Sequence, residues 1–538
     1  MATHSFPTLG EISKFLFDAT GILARKGDKK NAVIEDEKRK KSIQTALNRL
    51  SEEKGDVEKI FYELLNIFFE CVHSISCSDR ITGAISESLY EVFEQYLDLV
   101  KREGTYLPKK NTLQWAIRGR FLSRAVLSPY KNLARFNISI LGLSSPEDRF
   151  WFLPSIENNK IISPLSKALR WTYQITETSQ TNFHYPNKAV DLGKTSTSCS
   201  VNYRLNQNLE NASKWLNGRS FPTWSAIASN LNDSFTALEE CDDPCIQKEI
   251  EPQIKQSITL ILFISRFTTF IFQQIEKSFG EQYLHDLLGL YKKYSLYLDQ
   301  DNQIMKTGIE HTLSIKNISD PDEIDAIWYE EVPDYWKFKA HQATYLANKI
   351  DSFYRNKFQS AIPGEIINPL IKEYGSFLVM QYIDTLEYQK TIKVPQHFPE
   401  LLMKGMEIKN NSKLQEHEIT AYESELKNAN LDNALAWLSL WVRANSCYRE
   451  EDHQSAYLYY KKAFDEAKYT AGIHQYKLVN QYIESCAKVD KWRDFKKGVA
   501  WANYLDIEVR WLRGMGDQSD ESLKTVFAMF KESYYPVL

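Results

Sequence analysis

Apolar side chains recur every three or four residues through segment after segment of this chain. Ile12, Phe15, Leu16, Ala19 and Leu23 fall on one helical face, and Ile60, Phe61, Leu64, Leu65, Phe68 and Phe69 make a broader stripe. That period buries one side of an α-helix; a half-buried strand would alternate instead. The pattern is seldom broken, because 538 residues hold only 20 glycines and 17 prolines. Large rings, 13% of the residues, suit the wide grooves between packed helices. The expectation is an all-α, multi-domain helical protein. Breaks in composition divide it into an N-terminal helical segment with a basic helix (1–145), a region with a polar insertion (146–255), a central helical core (256–400) and a C-terminal helical array (401–538).

Within these segments the periodicity predicts one long helical run over Ser42–Ser76 and another helix over Ser86–Arg102. A further helix is expected from a cap at Asn111 or Thr112 through Val126, and two more over Asp334–Phe358 and Ile366–Tyr388. Residues 145–163, with two prolines and an aromatic cluster, read as a hinge or packing loop. The acidic run 319–334 reads as a solvated loop with a short helix, or as something that docks on a basic surface.

Net charge is −4, so the whole molecule is not a polybasic coat for nucleic acid. The seven cysteines are odd in number and scattered, as expected of reduced thiols in a cytoplasmic protein. The N-terminus lacks the charged-then-apolar order of a secretory signal. The most apolar run, Ile258–Phe272, falls short of the roughly 20 residues that span a bilayer, and Arg266 interrupts it. A buried helix is expected there, and no membrane contact.

Local charge is another matter. Residues 101–135 hold nine Lys or Arg against Glu103 alone. Arg120 and Arg124 sit one turn apart on a shared face, with Arg118 nearby. Such a window either contacts phosphates or is consumed by intramolecular ion pairs. Further on, Leu209, Ala212, Trp215 and Leu216 form the apolar face of a short helix over Leu209–Asn217. Gly218 stands where a helix ends in a left-handed residue. Thr223 would cap the next helix, whose Trp224, Ile227, Ala228 and Leu231 recur at helical spacing. The polar side carries Asn208, Asn211, Ser213, Lys214 and Asn217, with Arg219 just after it. Asn suits an adenine edge, and Lys and Arg suit guanine or phosphate.

Residues 200–232 resemble the later helices of a Cro/C1-type helix-turn-helix, in which a recognition helix ends K-W-L-x-G and a Pro-started helix follows. The candidate first helix, Ser163–Ile175, is set apart by the polar run Thr176–Ser200. The resemblance implies nucleic-acid contact, DNA favoured over RNA, on a cationic ledge shared by Lys214 and the three arginines. The alternative is the solvated face of an ordinary packed helix. The C-terminal part resembles tetratricopeptide-like helix pairs. Trp437, Leu440, Ala444 and Tyr448 lead to a polar turn at Arg449–Asp452, then Ala456, Tyr460, Ala463 and Phe464. A looser copy runs from Tyr476, Val479, Tyr482, Ile483 and Cys486 through a turn at Asp490 to Phe495, Val499 and Ala502. Stacked helix pairs leave a concave surface, so a protein partner is expected at 403–538.

Patterns for catalysis and cofactors fail residue by residue. Gly193–Ser196 reads GKTS, but Lys188 stands where a phosphate loop needs its leading glycine. His417 and Glu418 begin a zinc-protease pattern that Ala421 breaks. Cys71, His73 and Cys77, and the pair Cys241 and Cys245, lack C-x-x-C spacing. No catalytic residue, metal site or cofactor is expected. The leading expectation is a non-enzymatic regulatory or binding protein of bacterial style, contacting nucleic acid and a protein partner. The alternatives are a helical scaffold or adaptor with no nucleic-acid role, and an enzyme whose site is dispersed in sequence.

Overall fold

The computed structural model describes residues 6–532 except 24–33, 35, 54–56, 105–106, 136–144, 158–159, 181–209, 211, 241–246, 357–363, 394 and 514–518. The chain is helical almost throughout, as its periodicity requires. Thr8 caps α1 (Leu9–Thr20) in a capping box: its hydroxyl accepts from Glu11 N–H and the Glu11 carboxylate accepts from Thr8 N–H. α2 (Glu37–Ser51), α3 (Val57–Ser76) and α4 (Asp79–Arg102) complete an N-terminal bundle. The single run expected over Ser42–Ser76 is therefore two helices; after α2, Glu53 takes a left-handed φ of 49°, which no helix continues through. The aromatic stripe of α3 is buried at Phe61, Leu64, Leu65 and Phe68, and Phe61 stacks on Phe93 of α4 at 4.4 Å.

α5 (Lys109–Ala116) begins one turn ahead of the expected cap, immediately after Pro108, whose ring fixes φ near the helical value. Thr112 instead sends its hydroxyl back to Leu107 O at 3.1 Å. A π-turn, Ile117–Phe121, joins α5 to α6 (Leu122–Arg135). The 145–163 segment does pack: Phe150 and Phe152 meet Tyr291 edge-on, and β1 (Ser155–Glu157) pairs antiparallel with β2 (Lys160–Ile162), Ser155 opposite Ile162.

α7 (Pro164–Ile175) and α8 (Trp224–Glu239) both rest on α9 (Pro252–Phe279), which also touches α1 and α3. α9 is long and apolar enough to cross a membrane by length and composition. Here it is a core helix, with Ile258, Leu262 and Phe263 buried and Arg266 bonded to backbone carbonyls.

α10 (Glu281–Ile315), α11 (Pro321–Asn356), α12 (Gly364–Tyr374) and α13 (Ser376–Thr391) pack with α6 around a core of Leu127, Tyr294, Trp336, Phe377 and Val379. Two expectations are corrected here. Most of the acidic run 319–334 forms the opening turns of α11 rather than a loop, because Ile324, Trp328 and Val332 hold helical spacing and the last two are buried. The helix expected over Ile366–Tyr388 breaks at Gly375, whose φ of 92° is outside the helical range.

The C-terminal helices are α14 (Phe398–Asn410), α15 (Glu416–Asn428), α16 (Ala436–Arg449), α17 (His453–Ala467), α18 (Gln475–Lys488), α19 (Trp492–Tyr504) and α20 (Asp520–Glu532). Successive helices pack on one another, and the turns fall where the polar residues were: Glu451 and Asp490 are left-handed, at φ 62° and 55°. The array shares one continuous core with the N-terminal bundle and α7–α9. Lys468, buried, pairs with Glu53 across that seam, and the Gln475 amide donates to Val100 O at 2.9 Å. The larger core thus runs across all four sequence segments. Among the described cysteines, Cys71, Cys77, Cys447 and Cys486 carry free thiols; Cys199, Cys241 and Cys245 lie outside the described residues.

Candidate binding surfaces

Around residues 210–232 the local rules hold. Residues 212–216 are helical, and Gly218, at φ 67°, ends them with Arg219 N–H donating to Lys214 O at 2.8 Å. The Thr223 hydroxyl accepts from Ala226 N–H and opens α8. Trp224, Ile227 and Leu231 are buried, Trp224 edge-on to Phe263 at 5.1 Å. α7 does approach this segment: the Ser166 hydroxyl lies 3.5 Å from Trp215 O.

The polar side is only partly open. Lys214 pairs one turn back with Glu210 at 2.7 Å, and the Asn217 amide donates to Ser213 at 3.2 Å. Asn217 and Arg219 are exposed. Asn208 and Asn211 lie outside the described residues.

The basic window is largely spent inside the molecule. Lys101 pairs with Asp506 at 3.1 Å, Arg102 with Asp98 at 2.6 Å, Lys109 with Glu11 at 2.7 Å and Arg120 with Glu103 at 2.9 Å. Lys131 pairs with Glu91. Arg118 lays its guanidinium over the Tyr388 ring at 4.3 Å. Arg120 and Arg124 line a cleft of about 130 Å³ whose far wall is α13. The three arginines therefore face α13, whereas residues 212–222 face α7 and α9 through Ser166, Phe270 and Arg266. The ledge expected to unite Lys214 with the arginines is replaced by two separate surroundings.

A sequence has no means of pairing Arg124 with Gln381, Tyr382 or Thr385, which complete the cleft from about 260 residues away. One local signal did exist: adjacent basic residues around Gly119 inside an otherwise continuous helical pattern, where the π-turn forms.

The C-terminal array presents a third surface. Ile473, Tyr476 and Trp511 are 60%, 38% and 44% exposed. Asn480, one turn along α18 from Tyr476 and bonded to its carbonyl at 2.9 Å, accepts from Arg510 N–H at 3.1 Å and so holds the chain next to Trp511 against that helix. Lys477 is exposed beside them, and the Arg510 guanidinium lies 4.8 Å from the Trp511 ring. Trp511 itself is left-handed, at φ 67°, an uncommon state for a bulky residue.

Nearby, Lys409 is buried with its ammonium 4.0 Å from the centre of the Trp441 ring. Burial, then the charges of Lys477 and Arg449, lower its pKa from 10.5 to about 8. The unfolded chain then holds this proton more tightly than the folded one, so stability from this group rises as pH climbs from about 8 toward 10.5. Wild type is expected to gain thermal stability relative to Lys409→Met across that range; parallel melting curves would refute the assignment.

The sequence matches no family model, no curated protein and no solved structure. Among the described residues no cluster of His, Cys, Asp or Glu could hold a metal ion.

Proposed function

We propose that this chain is a non-enzymatic binding protein, a helical scaffold that meets a protein partner on its C-terminal array. The observation carrying this reading is the patch of Ile473, Tyr476 and Trp511 beside Lys477 and Arg510. Trp, Tyr and Arg dominate the energetics of protein interfaces, because rigid rings bury large area at little entropic cost. Tyr476 stands at the N-terminal end of α18 and Trp511 on the chain after α19. Its cations favour a partner segment that mixes acidic and apolar residues.

The test is selection of peptides from a displayed random library on the full chain, followed by affinity measurement with the Tyr476→Ala, Trp511→Ala double variant. Acidic, apolar peptides that lose about tenfold or more of their affinity are expected. Selected peptides indifferent to the double variant would overturn the reading.

A second reading, nucleic acid at residues 212–219, is favoured by the exposure of Asn217 and Arg219 on either side of the Gly218 reversal. It is the weaker of the two because Lys214 already has Glu210 and the arginines serve another wall. Affinity for a DNA duplex that falls steeply with salt, and falls further in Lys214→Ala with Arg219→Ala, would support it. Salt-insensitive or absent binding would leave the protein-only scaffold.

A further inference from the structure

We propose that the cleft between the π-turn, α6, α11 and α13 binds a small phosphomonoester, held by Arg120 and Arg124. Three observations converge on it. The cleft, about 130 Å³, is lined by two guanidinium groups and by no carboxylate. Arg120 spends one terminal nitrogen on Glu103, which stands outside the lining. A cleft lined by guanidinium groups and by no carboxylate favours an anionic ligand. The backbone here is a π-turn, a form that recurs where a helix is bent to serve a ligand. Gly119 at its centre leaves the wall without a side chain; a Cβ there would already stand 3.4 Å from Thr385.

The donors favour phosphate over carboxylate. The guanidinium groups of Arg120 and Arg124, the amides of Gln95 and Gln381 and the Tyr382 hydroxyl outnumber what two carboxylate oxygens accept, but suit the three oxygens of a phosphomonoester. Burial raises the Tyr382 pKa, with the charges of Arg120 and Arg124 pulling it back, so its hydroxyl stays protonated and able to donate near neutral pH. The other side of the cleft is apolar. Trp336 and Phe377 meet edge-on at 5.7 Å, and the indole N–H is fixed on Asn302 Oδ1 at 2.9 Å. That wall takes the organic part of the ester, which the volume keeps to about one ring.

The experiment is calorimetric titration of the full chain with inorganic phosphate, phenyl phosphate and benzoate. Phenyl phosphate is expected to bind at least about tenfold more tightly than benzoate, as hydrogen bonds to a more highly charged acceptor imply. Arg124→Gln should lose about ten- to hundredfold in affinity for it, and Arg124→Lys, which keeps the charge without the fork, should fall between. Lys110→Gln, an exposed lysine of the same basic window, should bind as wild type does. No binding of either phosphate probe by the folded wild type, equal affinity in Arg124→Gln, or an equal loss in Lys110→Gln would each overturn the proposal. Inorganic phosphate binding as tightly as phenyl phosphate would overturn the role given to Trp336 and Phe377.

Discussion

Arg266→Met is expected to destabilise the chain by about 3 kcal/mol or more, read by urea unfolding, because several buried carbonyls lose a charged donor together. Arg266 is 3% exposed in the middle of α9. Its Nε donates to Pro222 O at 2.9 Å, and Nη1 reaches Ala19 O and, at 3.4 Å, Asp18 O. The guanidinium also lies 4.4 Å from the centre of the Phe221 ring. One side chain thus ties the end of α1 and the chain ahead of α8 to the central helix. Gly21, at φ 61°, follows because a Cβ there would collide with the guanidinium.

Lysine is not an adequate replacement, since its single ammonium cannot span acceptors that the planar fork reaches at once. Arg266→Lys should recover less than half of the loss. Hydrogen exchange at Trp224 N–H, which donates to Gly21 O at 3.1 Å, should accelerate in both variants. Protection unchanged from wild type would show that the segment leading into α8 is held by something other than Arg266.

The second large effect is expected at Asp301, 4% exposed on α10. Its carboxylate accepts from Ser376 N–H and Phe377 N–H, both at 2.8 Å, and so caps the first turn of α13 from a neighbouring helix. Gly375 ahead of that turn has no side chain to cap with, and a Cβ there would stand 2.8 Å from the Asp301 carboxylate at a φ no L-residue favours. Asp301→Ala leaves two amide donors without this acceptor, at a cost of roughly 2–4 kcal/mol.

The pH dependence runs opposite to that of a surface ion-paired carboxylate. Burial raises the Asp301 pKa above 3.8, with the Phe377 and Ser376 amides and Lys339 pulling it back. The folded chain therefore holds this proton more tightly than the unfolded chain. The contribution of the group is largest at low pH and falls as pH rises from the unfolded value through the folded one. Asp301→Asn removes that slope. Wild type should lose stability relative to Asp301→Asn as pH rises from about 4; a difference constant with pH would contradict the assignment.

Much of the fold could be read in one dimension. Gly218 and Thr223 obey helix-end chemistry that acts within four residues, so their roles are visible in the sequence. The same is true of α16–α19, whose polar turns fall at the expected residues. The errors have local causes too. A left-handed Glu53 splits one predicted helix, and Gly375 splits another, because periodicity reports which face is apolar and not whether the backbone stays continuous. The acidic run beyond Asp320 was helical because Trp328 and Val332 needed burial, which outweighed its charge.

The candidate sites divide in the same way. The residue types of the basic window were legible, and so was the choice between phosphate contact and internal pairing. Which arginine would be spent was not, because Glu103, Tyr388 and the α13 wall are brought to the window only by packing. Likewise Asn480 of α18 accepts from Arg510 N–H, a contact between separate elements that no spacing encodes.

By itself, then, the sequence determined that this protein is helical, where most helices begin and end, and which faces are apolar, since those follow from interactions within a turn or two. Tertiary structure alone decided that the C-terminal array shares its core with the N-terminal bundle and that Arg120 and Arg124 line a cleft instead of an open ledge. Charges separated by hundreds of residues find one another only when the hydrophobic cores have set the helices side by side.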